Sequence, residues 1–316
     1  MSLAGSPPRG LPPGGLPPGG LPPRRLGTTR IGPVTFVWGA RTYVMGIVNV
    51  TPDSFSGDGL LRDASGLVPA GASDLVPAAV AQARRMVEDG ADLLDVGGES
   101  SRPGHEPVDE AQELARVVPA VRGIRDALPG VPISVDTTKP AVAEAALDAG
   151  ADCINDIWGV GPSVALPRVA ARRGVPYVLM HNRAEARYED VVAEVVADLA
   201  EAVERAVAAG VPRDAIVVDP GIGFGKTMAH NLALLRDLAA LQVLGRPILL
   251  GTSRKSTIGH VLGGVAAGER LEGTLATTAL GIAAGVDIVR VHDVRENVRV
   301  ARMCDAILRT GEEVGA

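Results

Sequence analysis

Aromatic residues are scarce in this chain: two Trp, three Tyr and three Phe make up 3% of 316 residues. A core without them has to be filled by Ala, Val, Leu and Ile, which suits parallel strands buried on both faces beneath alanine-rich helices. Cysteine is nearly absent as well. Cys153 and Cys304 form no C-x-x-C, which excludes a disulfide framework and a cysteine zinc site and points to the reducing cytoplasm. An excess of positive charge is also missing: the formal net charge is -6, so no nucleic-acid partner is expected and any anionic ligand must meet local positive charge. No run of about 20 uncharged apolar residues occurs, so no membrane span is expected. The mean hydropathy of +0.20 reflects alanine.

The first residues lack anything a helix or a ladder could use. Leu11 to Arg25 reads LPPGGLPPGGLPPRR, and residues 1–29 are expected to be a disordered Pro/Gly-rich tail. They also lack the apolar centre of a signal peptide.

What is present, over residues 30–316, is an alternation of short β-rich runs with Ala-rich amphipathic segments, the pattern of βα units around a parallel sheet. Val34 to Trp38 and Arg41 to Met45 flank Gly39-Ala40 and are expected to form a hairpin leading into the first barrel strand. The predicted strands are Tyr43 to Val48, Leu93 to Val96, Ile133 to Val135, Asp152 to Ile154, Val175 to Leu179, Ile216 to Val218, Pro247 to Leu250 and Ile288 to Val291. Helices over Asp74 to Glu88, Val142 to Ala149 and Asp190 to Ala209 each end just before a glycine. Every strand runs into a dense polar or glycine motif: NVTPDSF, DVGGESSRPG, DTTKP, NDI, MHNR, DPGIGFGK, GTSRKS and RVHDV. A doubly wound sheet concentrates its chemistry at a switch point, whereas a single (β/α)8 TIM barrel spreads it over all the strand ends at one face. The barrel is the expected fold, at a length such barrels routinely reach as one domain.

Asp95, Asp136 and Asp219 each close an apolar strand, where an unpaired buried charge would cost several kcal/mol. One such Asp alone is as well explained as a helix cap or a partner of a neighbouring Lys or Arg. Three at one mouth suit a planar ring with adjacent N–H groups, as in guanine or a pterin, and Asn155 could read a donor and an acceptor on the same ring. In Asp219 to Lys226 the glycines alternate, which is not the spacing of a phosphate-binding Walker loop. Gly221, Gly223 and Gly225 are expected to let backbone pass close to a flat ligand, with Phe224 packed against its ring; the plainer alternative is a loop with a core Phe. Lys255 follows the seventh strand and projects into the mouth, where it could bridge two ligands, although a lysine on a loop is most often a solvated charge. Arg290 and His292 alternate along the eighth strand and share a side, so with Arg102 and Asn49 they make a candidate anion and metal pocket. An isolated histidine is more often structural, and His181, after the fifth strand, is the weaker candidate of the two.

These motifs, in this order from Tyr43 to the end, resemble those of dihydropteroate synthase. The resemblance implies an enzyme of folate biosynthesis, a transferase in which the amine of p-aminobenzoate replaces diphosphate on a dihydropterin methylene. It implies that Asp136, Asn155, Asp219 and Lys255 hold the pterin with Met180 and Phe224 packing nearby, and that Asn49, Ser101, Arg290 and His292 address the diphosphate. Phe55, Arg102, Pro103 and Ser256 would shape the p-aminobenzoate site, and Lys255, Asp95 and Asp58 would serve catalysis. Mg²⁺ on Asn49 is the implied cofactor, since this ion takes one or two protein oxygens plus phosphate and water. A homodimer is implied too. The chain departs from the family in two places: the loop usually written S-D-G-G reads Ser56-Gly57-Asp58-Gly59, and a Gly-, Ala- and Pro-rich segment runs from Leu60 to Pro77. A methyltetrahydrofolate-type methyltransferase barrel and a non-catalytic pterin-binding paralogue share part of the pattern. SRKS with Arg290 and His292 argues against the first, and intact TPDSF and SSRPG against the second.

Overall fold

A computed structural model of the chain describes residues 26–51, 72–99 and 108–309. Strands β1 (Thr28–Ile31) and β2 (Val34–Val37) form an antiparallel hairpin. Then come β3 (Tyr43–Asn49), β4 (Leu93–Gly97), β5 (Ile133–Asp136), β6 (Cys153–Asp156), β7 (Tyr177–Met180), β8 (Ile216–Asp219), β9 (Leu249–Leu250) and β10 (Ile288–Val291). They are all parallel, in the order β8-β7-β6-β5-β4-β3-β10-β9. A further parallel bridge from Val218 to Ile248 closes the ring into an eight-stranded barrel. The helices between are α1 (Ala72–Glu88), α2 (Glu110–Ala127), α3 (Pro140–Ala149), α4 (Ala165–Arg173), α5 (Val191–Ala208), α6 (Met228–Arg236), α7 (Ser256–Val261), α8 (Leu271–Ala283) and α9 (Val294–Leu308). None of these helices is long and apolar enough to cross a membrane.

Each strand alternates between two surroundings. Val44, Leu94, Val96, Val135, Ile154, Leu179, Val218 and Val289 face the helices and pack on their buried alanines and valines. Met45, Leu93, Cys153, Val178, Val217, Leu249 and Ile288 form a separate cluster inside the barrel, completed by Ile31, Phe36 and Trp38 of the hairpin region. The hairpin is therefore a plug across the end where the strands begin. Its aromatic rings pack against the foot of β3, with Phe36 tilted against Tyr43 at 4.6 Å between ring centres. The Thr29 hydroxyl donates to the Asp214 carbonyl at 2.6 Å and accepts the Trp38 indole N–H at 2.8 Å.

Two expectations are corrected here. The hairpin pairs Val34–Val37 with Thr28–Ile31 around Gly32-Pro33, and not with Arg41 to Met45. The reason is that β3 already has both edges occupied, by β4 and β10, and a strand has only two ladders to offer. Since β1 begins at Thr28, the folded unit also starts before residue 30. The helix ends agree with the sequence: Gly150, at φ 113°, returns its N–H to Ala146 and Leu147, and Asp190 caps α5 by accepting from Val192 and Ala193.

Candidate active site

Because strand side chains repeat every second residue, two steps up from the apolar cluster lie Asp95 on β4, Asn155 on β6, Met180 on β7, Asp219 on β8, Gly251 after β9 and Arg290 on β10. Asp136 ends β5 beside them, in register with Gly97 and Asn155. The polar layer is thus a consequence of strand period. Asp95 is fully buried, and its Oδ2 accepts from Arg290 Nε at 2.6 Å and from Asn155 Nδ2 at 3.0 Å. The other guanidinium arm reaches Asp136 Oδ2 at 2.8 Å. Asp95 accepting from its amide fixes the orientation of Asn155 and leaves the Asn155 Oδ1 and second amide hydrogen for a ligand. Burial pushes the Asp136 carboxyl up to about 7 against the attraction of Arg290, and the charge of Asp95 adds to the rise.

Across the mouth, burial raises the pKa of Asp219 while Lys255 opposes it, and Gly221 N–H donates to Asp219 Oδ1 at 2.7 Å. Burial likewise lowers Lys255 to about 8, with Asp219 opposing. The Lys255 ammonium donates to the Ile222 carbonyl and lies 4.1 Å over the Phe224 ring. Met180 is buried at the end of β7 in register with Asp219.

In the glycine loop the need for glycine comes from neighbouring backbone. A Cβ at Gly221 would sit 1.8 Å from the His181 carbonyl oxygen, and one at Gly225 2.0 Å from that of Arg183. Gly221 and Gly225 let the loop pass against the β7 turn, and Gly223 faces Lys255, at 3.1 Å from its Cδ. Behind the loop, Lys226 Nζ donates to the carbonyls of Gly221 and Phe224, each at 3.0 Å, and lies 2.9 Å from His181 Nδ1. His181 is wholly buried and its Nε2 lies 3.0 Å from Asp198 Oδ2. The Asp198 carboxylate has no hydrogen to donate, so Nε2–H donates to it and Nδ1 is left to accept from Lys226, whose amine is brought down to about 7 by burial. Burial and then Lys226 bring His181 down to about 4, keeping it neutral. His181 is a strut of the loop. Sequence reasoning missed Asp198, which lies on α5 with no local signal to tie it to the mouth, and Lys226 offered only its place after the last glycine.

His292, above Arg290 on the same side of β10, turns to Ser253: its Nδ1 lies 3.0 Å from Ser253 Oγ and its backbone N–H donates to that oxygen at 3.1 Å. Asn49 ends β3, half-buried, and Ser256 opens α7, exposed. A further ion group joins Lys139 to Glu99 and Glu113, both at 2.6 Å, where β4 and β5 run into their loops. Of the other expected site residues, Phe55, Asp58, Ser101, Arg102 and Pro103 lie outside the described residues, as does most of Leu60 to Pro77. The described part brings together four hydrogen-bonding groups, Asp136, Asn155, Asp219 and Lys255, with a guanidinium beside them. Such a layer can hold the donor and acceptor edge of a flat ring and keep positive charge close to an anionic substituent.

Comparison with known proteins gives the family. The profile of the Pterin binding enzyme family matches residues 45–292. The dihydropteroate synthase of Bacillus subtilis is 49% identical over 279 residues, 88% of this chain and 93% of that one. That of Clostridium beijerinckii is 47% identical over 279 residues, covering 88% and 98%. Among solved structures, a Clostridium difficile dihydropteroate synthase in the presence of pteroic acid has a TM-score of 0.79 at 47% identity, covering 87% of this chain and 100% of that one. A Xanthomonas albilineans dihydropteroate synthase with 4-aminobenzoic acid has a TM-score of 0.77 at 42% identity, covering 86% and 94%. The chain belongs to the pterin binding enzyme family, and within it to the dihydropteroate synthases.

Proposed function

We propose that the chain condenses (7,8-dihydropterin-6-yl)methyl diphosphate with p-aminobenzoate to give 7,8-dihydropteroate and diphosphate. The observation that carries this reading is the polar layer, in which Asp136, Asn155 and Asp219 end their strands around Arg290 and Lys255 reaches in from the turn before α7. The amine nitrogen forms a bond to the pterin methylene carbon as the carbon–oxygen bond to diphosphate breaks; the amine then loses a proton and the diphosphate keeps the electron pair. Asp219 and Asn155 hold the ring edge, Lys255 lies over Phe224 at its side, and Arg290 and His292 receive the negative charge that gathers on the leaving group.

Mg²⁺ is part of the proposal. Among the described residues no group of three His, Cys, Asp or Glu side chains could hold a metal. A single amide oxygen, Asn49, at the rim suits an ion that arrives on the diphosphate with most of its water. When bound it neutralises leaving-group charge. A homodimer through the last two helices is proposed as well, because Leu280 on α8 and Met303 and Ile307 on α9 leave 66%, 63% and 56% of their surface exposed. The two free cysteines fit a reducing cytoplasm.

The test is diphosphate release by the purified chain with Mg²⁺. Release that requires both the pterin diphosphate and p-aminobenzoate is the expected result. Release without p-aminobenzoate, or none with both, would reject the reading.

A further inference from the structure

Arg254 is, among the described residues, the one non-glycine residue with a left-handed backbone, at φ 57°. It occupies the third position of a tight turn in which Lys255 N–H donates to the Thr252 carbonyl at 3.1 Å. With a positive φ at that position the usual occupant is glycine, because a Cβ there is strained. The strain is held from three sides. The guanidinium grips Asp293 with both arms, Nε to Oδ2 at 3.0 Å and Nη2 to Oδ1 at 2.5 Å. The Arg254 N–H donates to Thr274 Oγ1 at 3.1 Å, and its carbonyl accepts from Arg270 Nη1 at 2.8 Å. Asp293 stands at the head of α9, where an aspartate ordinarily caps the first turn, yet its side chain caps no helix N–H.

The residues on either side of the strained one go to different partners. Ser253 meets His292 at 3.0 Å, whereas Lys255 reaches the Ile222 carbonyl and the face of Phe224. Asp293 directly follows His292, so the ion pair ties the end of β10 to this turn. We propose that Arg254 is a positioning residue: its two-armed pair with Asp293 holds a turn that a free chain would relax, seating His292 through Ser253 and turning Lys255 toward Asp219. This rests on the synthase reading for what His292 and Lys255 then do.

The test uses the full chain with the R254G and D293N substitutions. Glycine accepts the backbone geometry, which offsets part of the cost of leaving Asp293 without its partner, so R254G is expected to fold and to melt within a few degrees of the wild type while its kcat/KM for the pterin diphosphate falls at least tenfold. D293N is expected to lose a similar factor without touching the turn's backbone, and it carries the same comparison should R254G not fold. Replacing His292 by Gln is expected to cost much less in the R254G or D293N background than in the wild type, because His292 has already lost its seat. Turnover within twofold of wild type in both single variants, or an H292Q cost that is the same in every background, overturns the positioning role. Wild-type turnover is the control: its absence rejects the synthase reading, and its presence beside unaffected variants rejects the role of Arg254 alone.

Discussion

Replacing Arg290 by methionine removes the cation shared by two buried carboxylates while keeping much of the side-chain volume. At an effective dielectric of about 20, contacts of this length are worth roughly 6 kcal/mol each before desolvation is counted; the distances are 2.6 Å to Asp95 and 2.8 Å to Asp136. Desolvation of the ions consumes most of that gain, but removing one partner strands the others, and R290M is expected to lose about 3–5 kcal/mol of stability near pH 8. The deficit should depend on pH. Burial, opposed by Arg290 and reinforced by Asp95, already holds Asp136 near 7, above the usual carboxylate range, so between the two values the folded chain binds a proton the unfolded chain has lost. Stability then falls as pH rises through that window, by up to about 1.4 kcal/mol per pH unit. Without Arg290 the folded pKa of Asp136 climbs further and the window extends above 7. The gap between wild type and R290M is therefore expected to narrow as the pH drops from 8 to 6. Denaturant unfolding of both proteins at pH 8, 7 and 6 measures it, and a deficit below about 1 kcal/mol, or one that stays constant across the series, would refute the account.

Asp219→Asn is expected to weaken pterin binding by about tenfold to a hundredfold, the value of a charge-assisted pair of roughly 1.5–3 kcal/mol; calorimetry on the folded variant checks it, and unchanged affinity rejects Asp219 as the ring acceptor. Lys226→Met strips the Gly221 and Phe224 carbonyls of the donor behind the glycine loop. The melting temperature should drop and the KM for the pterin diphosphate should rise, and a variant with an unchanged KM would show that the loop stands without its strut. Trimming the chain to start at Arg30 removes the Thr29 hydroxyl and its two hydrogen bonds, each worth about 1 kcal/mol. It should melt several degrees below a chain trimmed to start at Gly27, and equal melting temperatures would show that the hairpin contributes nothing to closure.

The barrel was legible because its signals are local: Val/Ile-rich runs mark the strands, glycines such as Gly150 close the helices, and a polar motif follows each strand. The carboxylates at the strand ends were legible for the same reason, since strand period decides which level of the lumen they reach. The hairpin is ambiguous in the sequence because Gly39-Ala40 and Gly32-Pro33 both look like turns, and only the tertiary fact that β3 has two barrel neighbours decides between them. The glycine loop is plain in the sequence, but a sequence does not show what a glycine approaches, and for Gly221 and Gly225 a Cβ would meet the backbone of His181 and Arg183. The left-handed Arg254 had no signal at all. Its geometry exists because Asp293, thirty-nine residues away, holds it there.

With Ile31, Phe36 and Trp38 seated against Met45, Cys153 and Val217, the barrel is a cup rather than a tunnel, and a cup imposes a queue. Whatever lies on the floor formed by Asp136, Asn155 and Asp219 goes in first and comes out last. A second reactant, entering by the same rim, closes over the first. Under the proposed reading the product would inherit this order: with its ring at the bottom and its newly attached end facing the exit, the released diphosphate would have to clear the rim before the joined molecule could follow.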